Sequence, residues 1–281
     1  MPNLMWTWQE AASVAGVLAA VWGLLRLRGT APRVQPFVRE ASLIIGLYGL
    51  WQLAGDLSGS GTYSAVGRAK WIWDTERTLQ LPSEHTVQGW ILPHPLVVQA
   101  ANLYYDTMHF TVMIAFLLWL FARHRNAYPR WRTTLGLLTA SCLLIQFIPV
   151  APPRMIPGLG MQDTALLYGQ SVYGTVGGFD ADQLSAMPSV HVGWAVLVAV
   201  CAYKVSSSRW RYLGAGHAVA TVFVVVATGN HFWGDGIVAV ALLAAALGVQ
   251  AGTRAIFRRK VTGRKELAKP ELDDSGLVDV M

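Results

Sequence analysis

Seven apolar segments, each close to the length of a membrane-spanning helix, alternate with polar connections along the chain. They lie at about 9–25, 40–58, 106–122, 133–150, 187–203, 212–229 and 235–253. A helix that crosses a bilayer needs roughly 20 predominantly apolar residues, and several of these segments are somewhat shorter. We therefore predict an all-α, polytopic membrane helix bundle with about six to seven spans.

Two polar connections are long enough to hold structure of their own. The first, over residues 59–105, mixes tryptophans with charged residues, which predicts short amphipathic helices at the membrane interface. The second, over residues 151–186, is rich in proline and glycine, and loops of this length are often functional. We expect one membrane domain over residues 1–255 and a cytoplasmic, disordered tail over residues 256–281.

Composition and charge support this topology and orient it. The chain is 53% hydrophobic and only 14% charged, whereas soluble domains carry about 25% charged residues. Lysines and arginines concentrate in alternate connections and in the tail. The four exceptions are Arg68, Lys70, Arg77 and Arg154.

The positive-inside rule places the basic connections and the C-terminus in the cytoplasm. The loops at about 59–105, 151–186 and 230–234 then face outward. We expect a multi-pass protein of the plasma (cytoplasmic) membrane. The net charge of +6 reflects this topology, so we expect no nucleic-acid partner.

Three polar signals lie on the predicted outer side of the membrane. Arg154 follows the fourth apolar segment in "APPRM", and His191 opens the fifth in "PSVH". His231 and Asp235 lie in "GNHFWGD", between the sixth and seventh segments. Ionisable groups beside membrane-length apolar segments are costly and usually functional. Because alternating spans return to the same side, we expect these signals to converge.

The three signals together suit phosphoryl transfer. His231 and Asp235 are four residues apart and share one face if the segment is helical. An aspartate bonded to one ring nitrogen would fix the tautomer and leave the other lone pair available, which makes His231 a candidate nucleophile. His191 is then the candidate general acid for the leaving alkoxide. Arg154 offers a planar fork of donors for phosphate oxygens.

Each signal alone has a simpler interpretation. The His231–Asp235 spacing is compatible with half of a metal site or with a buried pair that only stabilises the bundle. His191 could be a structural histidine, and Arg154 could anchor lipid headgroups. Neither a Gly-x-Ser-x-Gly nucleophile elbow nor a His-Glu-x-x-His zinc motif occurs. The gathering of the signals on one side favours a joint chemical role.

At these residues the chain resembles the type-2 phosphatidic acid phosphatase superfamily. Its three motifs carry an arginine, Pro-Ser-x-His and His-x-x-x-Asp, which match Arg154, His191 in "PSVH", and His231 with Asp235. The resemblance implies a six-helix core and a phosphohistidine formed on His231. It also implies that His191 protonates the leaving group.

The finer resemblance is to the inositolphosphotransferase branch, which includes inositol phosphorylceramide synthases. It rests on "YYDTMHF", "PVAPPRM", "GMQDT" and "SAMPSVHVGWA", and it extends over about residues 70–250. It implies that His109 and Asp163 also border the pocket. A hydrogen bond within the span and a loop cap, respectively, are the structural explanations of these two residues.

The chain departs from the phosphatase pattern at several positions. Phe147 stands where the pattern has lysine, Met155 where it has proline, Val190 where glycine is usual, and Val225 where it has arginine. Arg154 is therefore the main expected phosphate ligand. Ser189 and Asn230 are further candidates, together with a donor from the first outward loop such as Lys70 or Arg77. The transferase-like branch shares this sparse set of cations.

These observations predict a membrane phosphotransferase or phosphatase that acts on lipid-linked phosphate esters at the extracytoplasmic face. A membrane lipid phosphate would be the donor and water or an alcohol the acceptor, with no metal and no cofactor. A polyprenyl- or sugar-lipid phosphate phosphatase is one alternative. A non-enzymatic lipid-binding or transport protein is another, although transporters often show internal repeats and none is evident here. The oligomeric state is open.

Overall fold

The computed structural model describes residues 6–57, 62–170 and 183–267, which are predominantly helical. The α-helices of these residues, in chain order, are α1 Trp8–Leu27, α2 Gln35–Leu57, α3 Thr62–Thr78, α4 Glu84–Ile91, α5 Pro95–Arg123, α6 Tyr128–Gln146, α7 Thr164–Leu167, α8 Val190–Val205, α9 Arg211–Ala227 and α10 Trp233–Leu267. Extended backbone pairs at an isolated bridge between Val150 and Ser185. The predicted all-α fold is confirmed.

The seven apolar segments all coincide with helices, namely α1, α2, α5, α6, α8, α9 and α10. By length and hydropathy, α1, α5 and the part of α10 up to Ile256 can cross a membrane, and α8 and α9 are apolar but shorter. The α10 helix continues past the predicted domain boundary at residue 255 and ends at Leu267. The rest of the predicted tail, residues 268–281, lies outside the described residues.

Local sequence signals determine where several helices begin. The Thr7 hydroxyl accepts a hydrogen bond from the Glu10 amide at 3.3 Å, and the Glu10 carboxylate accepts one from the Thr7 amide at 2.8 Å. This capping box starts α1. Pro95 opens α5, where no backbone donor is needed. Ser189 caps α8 by accepting a hydrogen bond from the Val192 amide at 3.4 Å.

Four helices, α5, α6, α8 and α10, form the central core. Their shared apolar cluster contains the buried side chains of Leu120, Trp131 and Leu197. The α9 helix packs closely on α8, because a Cβ on Gly214 would lie only 3.1 Å from the Cα of Ala199. Small residues permit this close approach between membrane helices. The core therefore holds α5, α8 and α10 in fixed relation to one another.

The α1–α2 hairpin packs outside this core. Its two helices meet through small residues, since a Cβ on Gly49 would lie 3.2 Å from the Cβ of Ala11. Glu40 of α2 is buried, and its carboxylate accepts hydrogen bonds from Arg39 and from Arg132 of α6. A buried carboxylate requires such partners, so this contact fixes the hairpin against α6.

The short helices predicted in the first long connection are present as α3 and α4, and both α3 and the connection between them contact the start of α10. Glu76 of α3 accepts a hydrogen bond from the Gly234 amide at 2.6 Å. The indole N–H of Trp233 donates to the carbonyl of Pro82 at 2.8 Å. The connection between α3 and α4 therefore rests on the first turn of α10.

Two carboxyl groups are buried together in this region. Glu76 and Glu84 are 3% and 0% exposed, and the Arg77 guanidinium lies 3.6 Å and 3.4 Å from their respective carboxylate oxygens. Burial, and then the neighbouring Glu84 carboxyl, raise the pKa of Glu76 to about 9. Glu76 therefore holds a proton at neutral pH.

Replacing Glu76 with glutamine should remove a pH-dependent loss of stability. The folded-state pKa of Glu76 lies above its ordinary value of 4.5. The stability that its proton provides is therefore complete below that value and is lost as the pH rises through about 9. Glutamine mimics the protonated acid and still offers an acceptor to Gly234. The melting temperature of Glu76→Gln in detergent should therefore fall less than that of the wild type between about pH 6 and about pH 9.5.

Glu76→Ala provides the comparison, because it leaves the Gly234 amide without this acceptor. It should melt below both other proteins at about pH 6. Coincident pH profiles for the wild type and Glu76→Gln would show that this carboxyl does not titrate as described.

Candidate active site

The loop before α8 places a backbone carbonyl against His231. The Val150 amide donates to the Leu184 carbonyl at 2.6 Å, and the Ala186 amide donates to the Val150 carbonyl at 3.1 Å, which anchors this loop. The Ala186 carbonyl lies 2.7 Å from Nδ1 of His231. Because a carbonyl oxygen can only accept a hydrogen bond, the proton of the neutral His231 ring is on Nδ1.

Asp235 provides a second acceptor for the same ring nitrogen. Its Oδ2 atom lies 3.2 Å from Nδ1 of His231 and accepts a hydrogen bond from the Phe232 amide at 2.8 Å. The helix α10 begins at Trp233, so His231 lies before it and Asp235 lies in its first turn. The two residues therefore do not share a helical face, although the sequence spacing allowed it. With the proton on Nδ1, the lone pair is on Nε2 of His231. This buried atom has no hydrogen-bond partner among the described residues.

His191, in the first turn of α8, lies beside His231, and their ring centroids are 5.6 Å apart. Tyr105 of α5 stacks on His191 with a centroid distance of 4.3 Å and an interplanar angle of 20°. His109, one helical turn after Tyr105, packs on His191 at 4.2 Å. The structure therefore brings three of the predicted histidines together in one group, which we call the histidine cluster: His109, His191 and His231, with Tyr105.

Arg154 is held by both its backbone and its side chain. It lies in a 3-10 turn, Pro153–Met155, and its amide donates to the Gly229 carbonyl at 3.0 Å. Gly229 has a φ of +70°, and a Cβ there would lie 3.1 Å from the Cβ of Arg154, so this position requires glycine. Nε of Arg154 donates to Asp163 at 3.1 Å, and Nη1 donates to the amide oxygen of Asn230.

Two buried amide side chains hold the segment that carries Asp163. Gln88 of α4 accepts a hydrogen bond from the Gln162 amide at 2.8 Å and donates to the Gln162 carbonyl at 3.0 Å. Asn102 of α5 accepts one from the Thr164 hydroxyl at 2.8 Å. Asp163 also caps α7 through its other carboxylate oxygen. Asp163 is therefore both a loop cap and a partner of Arg154.

Ser189 and Asn230, for which the sequence predicts phosphate contacts, bond to protein groups in the structure. The Ser189 amide donates to the Asp235 carbonyl at 3.1 Å, and its buried hydroxyl caps α8. The Asn230 amide group bonds Arg154 through its oxygen and the Thr228 hydroxyl through its nitrogen, the latter at 2.8 Å. These contacts make Asn230 a positioning residue for the guanidinium.

Of the further donors suggested from the first outward loop, Arg77 has another role. Its guanidinium lies 4.4 Å over the ring of Trp73 and contacts the carboxyl groups of Glu76 and Glu84. Its charge therefore serves the packing of α3 and α4. Lys70 is exposed on α3.

Two residues at the site are not among those predicted from the sequence. Tyr105 lies four residues before His109, so their shared face of α5 was visible in the sequence spacing. Glu76 bonds Gly234 next to Asp235. Nothing in the local sequence distinguishes Glu76 from the other charged residues of its amphipathic helix.

The arrangement offers three chemical functions in one place. His231 presents an available lone pair, His191 is a potential proton donor and acceptor, and Arg154 provides a fixed cation. Asn230, which accepts a hydrogen bond from the Arg154 guanidinium, is directly followed by His231 in the sequence. This adjacency keeps the guanidinium near the His231 ring. Within the described residues, no group of three or more His, Cys, Asp or Glu side chains is arranged to hold a metal ion.

Comparisons with known proteins agree with this geometry. The family model of the PAP2 superfamily matches residues 70–249. The chain is also 28% identical over 151 residues to the inositol phosphorylceramide synthase catalytic subunit of Schizosaccharomyces pombe. That match covers 47% of this chain and 35% of the relative, so the chain spans about a third of the relative's length. No solved structure matches significantly.

The family match covers more than half of the chain and contains the whole histidine cluster together with Arg154 and Asp235. The resemblance inferred from the motifs is therefore confirmed at the level of the family. The chain belongs to the PAP2 superfamily, a family of lipid phosphatases and phosphotransferases.

Proposed function

We propose that this protein transfers phosphoryl or phosphoalcohol groups from lipid-linked phosphate esters through a phosphohistidine on His231. The observation that carries the proposal is the pair of acceptors on Nδ1 of His231, namely the Ala186 carbonyl and the Asp235 carboxylate. They keep the lone pair on Nε2, the atom that would attack phosphorus. Membership of the PAP2 superfamily supports an enzyme that acts on lipid phosphates.

In the first step, Nε2 of His231 attacks the phosphorus atom of the donor. The bond between phosphorus and the leaving oxygen breaks, and its electron pair stays on that oxygen. His191, in its imidazolium form, gives a proton to the same oxygen. Arg154 stabilises the charge on the non-bridging phosphate oxygens. The Asp235 carboxylate offsets the positive charge that the His231 ring gains.

In the second step, an oxygen atom of water or of an alcohol attacks the phosphohistidine. That hydroxyl gives its proton to His191, and the bond between phosphorus and Nε2 of His231 breaks. Both histidines return to their starting states. Water produces hydrolysis and an alcohol produces transfer, so the outcome depends on which acceptor reaches the phosphorus atom.

We favour an alcohol acceptor and a phosphoinositol-type donor. The similarity to the catalytic subunit of an inositol phosphorylceramide synthase supports this choice. The charge of the site supports it as well, because Phe147 and Val225 stand at two positions where the phosphatase pattern has cations. A phosphodiester carries one negative charge, whereas a phosphomonoester carries about −1.5 to −2. A site with Arg154 as its main cation is better matched to the diester.

The active site faces the extracytoplasmic side in this proposal. The distribution of lysines and arginines supports that orientation, because the connections α5–α6 and α8–α9 are basic and lie at the opposite helix ends from the histidine cluster.

His231→Ala should lower turnover by at least ~10³-fold and abolish the phosphoenzyme, because it removes the attacking nitrogen. Purified protein is incubated with lipid phosphodiesters and phosphomonoesters, each with and without alcohol acceptors, and products are identified by mass. A labelled donor should produce an acid-labile phosphoenzyme in the wild type. The control is His94→Ala, which removes an exposed histidine at the start of α5 and should behave as wild type.

Each outcome of that panel has a definite meaning. Wild-type turnover by His231→Ala on every donor would refute the role of His231 as the nucleophile. Products formed only with water and monoesters would identify the polyprenyl- or sugar-lipid phosphatase alternative. No turnover on the whole panel would favour lipid binding or transport, and turnover lost only with EDTA would establish a metal-dependent reaction.

Arg154→Lys should reduce kcat/KM by about 10²-fold, because lysine cannot contact Asp163 and Asn230 while also presenting a planar fork to phosphate. Asn230→Ala removes only the orienting contact and should cost about 10-fold, mainly in KM. Steady-state kinetics of both variants check this order. Arg209→Lys, at an exposed arginine, is the control. Wild-type kcat/KM in Arg154→Lys would exclude a bidentate phosphate contact.

Cysteine labelling should establish the orientation. The native Cys142 and Cys201 are both 0% exposed, so a single introduced cysteine reports its own position. In intact cells a membrane-impermeant thiol reagent should label His94→Cys and should label Arg125→Cys only after permeabilisation. Both native side chains are exposed, which makes the two variants a matched pair. The reverse pattern would place the histidine cluster on the cytoplasmic side.

A further inference from the structure

A concave site lies where the end of α5, the start of α6, the end of α8 and the later part of α10 meet. Its cavity has a volume of about 790 Å³. We call it the cationic pocket, after the side chains Arg123, Arg125, Arg130, Lys204 and Arg254 that line it. None of the described residues that line this cavity is acidic.

The cationic pocket and the histidine cluster lie towards opposite ends of α8 and α10. Along α8, the rise from His191 to Lys204 is about 20 Å, and along α10 the rise from Asp235 to Arg254 is about 28 Å. These distances are comparable to the ~30 Å thickness of a bilayer's hydrocarbon core. The pocket therefore lies on the side of the bundle that the sequence assigns to the cytoplasm.

The charges of the cationic pocket are not neutralised within the described part of the chain, where none of its five cations forms an ion pair with a carboxylate. The guanidinium of Arg130 lies 5.2 Å from the ring centroid of Trp131, and that of Arg125 lies 4.6 Å from the ring centroid of Phe121. Stacking on aromatic rings orients a guanidinium and leaves its N–H groups for other partners. The buried Nε of Arg130 has no partner among the described residues.

Arg132 differs from the five cations of the pocket, because it is paired with a carboxylate. It belongs to the same basic connection but points to the α1–α2 hairpin, where it pairs with the buried Glu40. The positive-inside rule accounts for basic residues on this side of the membrane. It does not account for their convergence around one cavity without an acidic neighbour, where like charges repel one another.

We propose that the cationic pocket binds a multiply charged, phosphate-bearing anion on the side of the bundle opposite the histidine cluster. Arginine forks match phosphate oxygens, and basic pockets between membrane helices bind anionic lipid headgroups. The volume of about 790 Å³ lies within the usual range of ligand pockets. The pocket shares no residue with the histidine cluster, so the proposal does not depend on the proposed reaction.

Binding is measured with two probes, inorganic pyrophosphate and cardiolipin in phosphatidylcholine nanodiscs. Both carry two phosphate groups, but only one belongs to a lipid. All proteins carry His231→Ala, so that turnover cannot consume a probe. Lys204→Gln/Arg254→Gln should raise the Kd of the bound probe by at least ~10-fold. Both side chains are exposed, so the substitutions leave the core unchanged.

The matched control is Arg28→Gln/Arg33→Gln, which removes the same charge from exposed positions in the basic α1–α2 connection, away from the pocket. Its Kd should stay within about 2-fold of the parent protein. Arg123→Gln, another exposed lining residue, should repeat the weakening in a single substitution.

Saturable binding of cardiolipin alone would identify a lipid headgroup as the occupant, and binding of pyrophosphate alone would identify a soluble phosphate compound. Binding of both would show that the phosphate groups are sufficient. Equal weakening by the pocket pair and the control pair would show general electrostatic attraction and overturn the proposal. Absence of saturable binding of either probe would overturn it as well.

Discussion

The proton on Nδ1 of His231 is the feature on which the rest of the site depends. Its position follows from two acceptors that come from distant parts of the chain, the carbonyl of Ala186 and the carboxylate of Asp235. The Ala186 carbonyl is held in place because the Ala186 amide pairs with Val150. The Asp235 carboxylate is held by the start of α10, where Glu76 accepts a hydrogen bond from the amide of Gly234, the preceding residue. Each of these supports fixes which nitrogen of His231 is free to react.

Topology and motif spacing predicted much of this arrangement, because apolar length and the positions of lysines and arginines constrain a membrane protein strongly. The convergence of Arg154, His191 and His231 could therefore be expected from the sequence. The role of Ala186 could not, because the acceptor is a backbone carbonyl and every residue has one. Asn230 was expected to bind phosphate, but its two polar atoms bond to protein groups, a detail that depends on side-chain geometry rather than on residue type.

The two ends of the bundle differ in the charge of their side chains. At the histidine cluster, the cation Arg154 lies against Asp163, and the rings of Tyr105, His109 and His191 pack beside one another. At the cationic pocket, the described lining contains five cations and no carboxylate. The same helices, α5, α8 and α10, join both ends, so the apolar core between them separates two regions with different affinities for anions. Only the first region lies at the motifs that define the family resemblance.

The backbone hydrogen bond between Arg154 and Gly229 has a consequence for the protein in different bilayers. Membrane helices respond to changes in hydrophobic thickness by tilting, which would shift groups carried on separate helices relative to one another. Arg154 is instead held to residues 229 and 230, directly before His231, through both its backbone and its guanidinium. The spacing between the Arg154 guanidinium and the His231 ring should therefore depend little on helix tilt, and we expect the proposed reaction to tolerate membranes of different thickness.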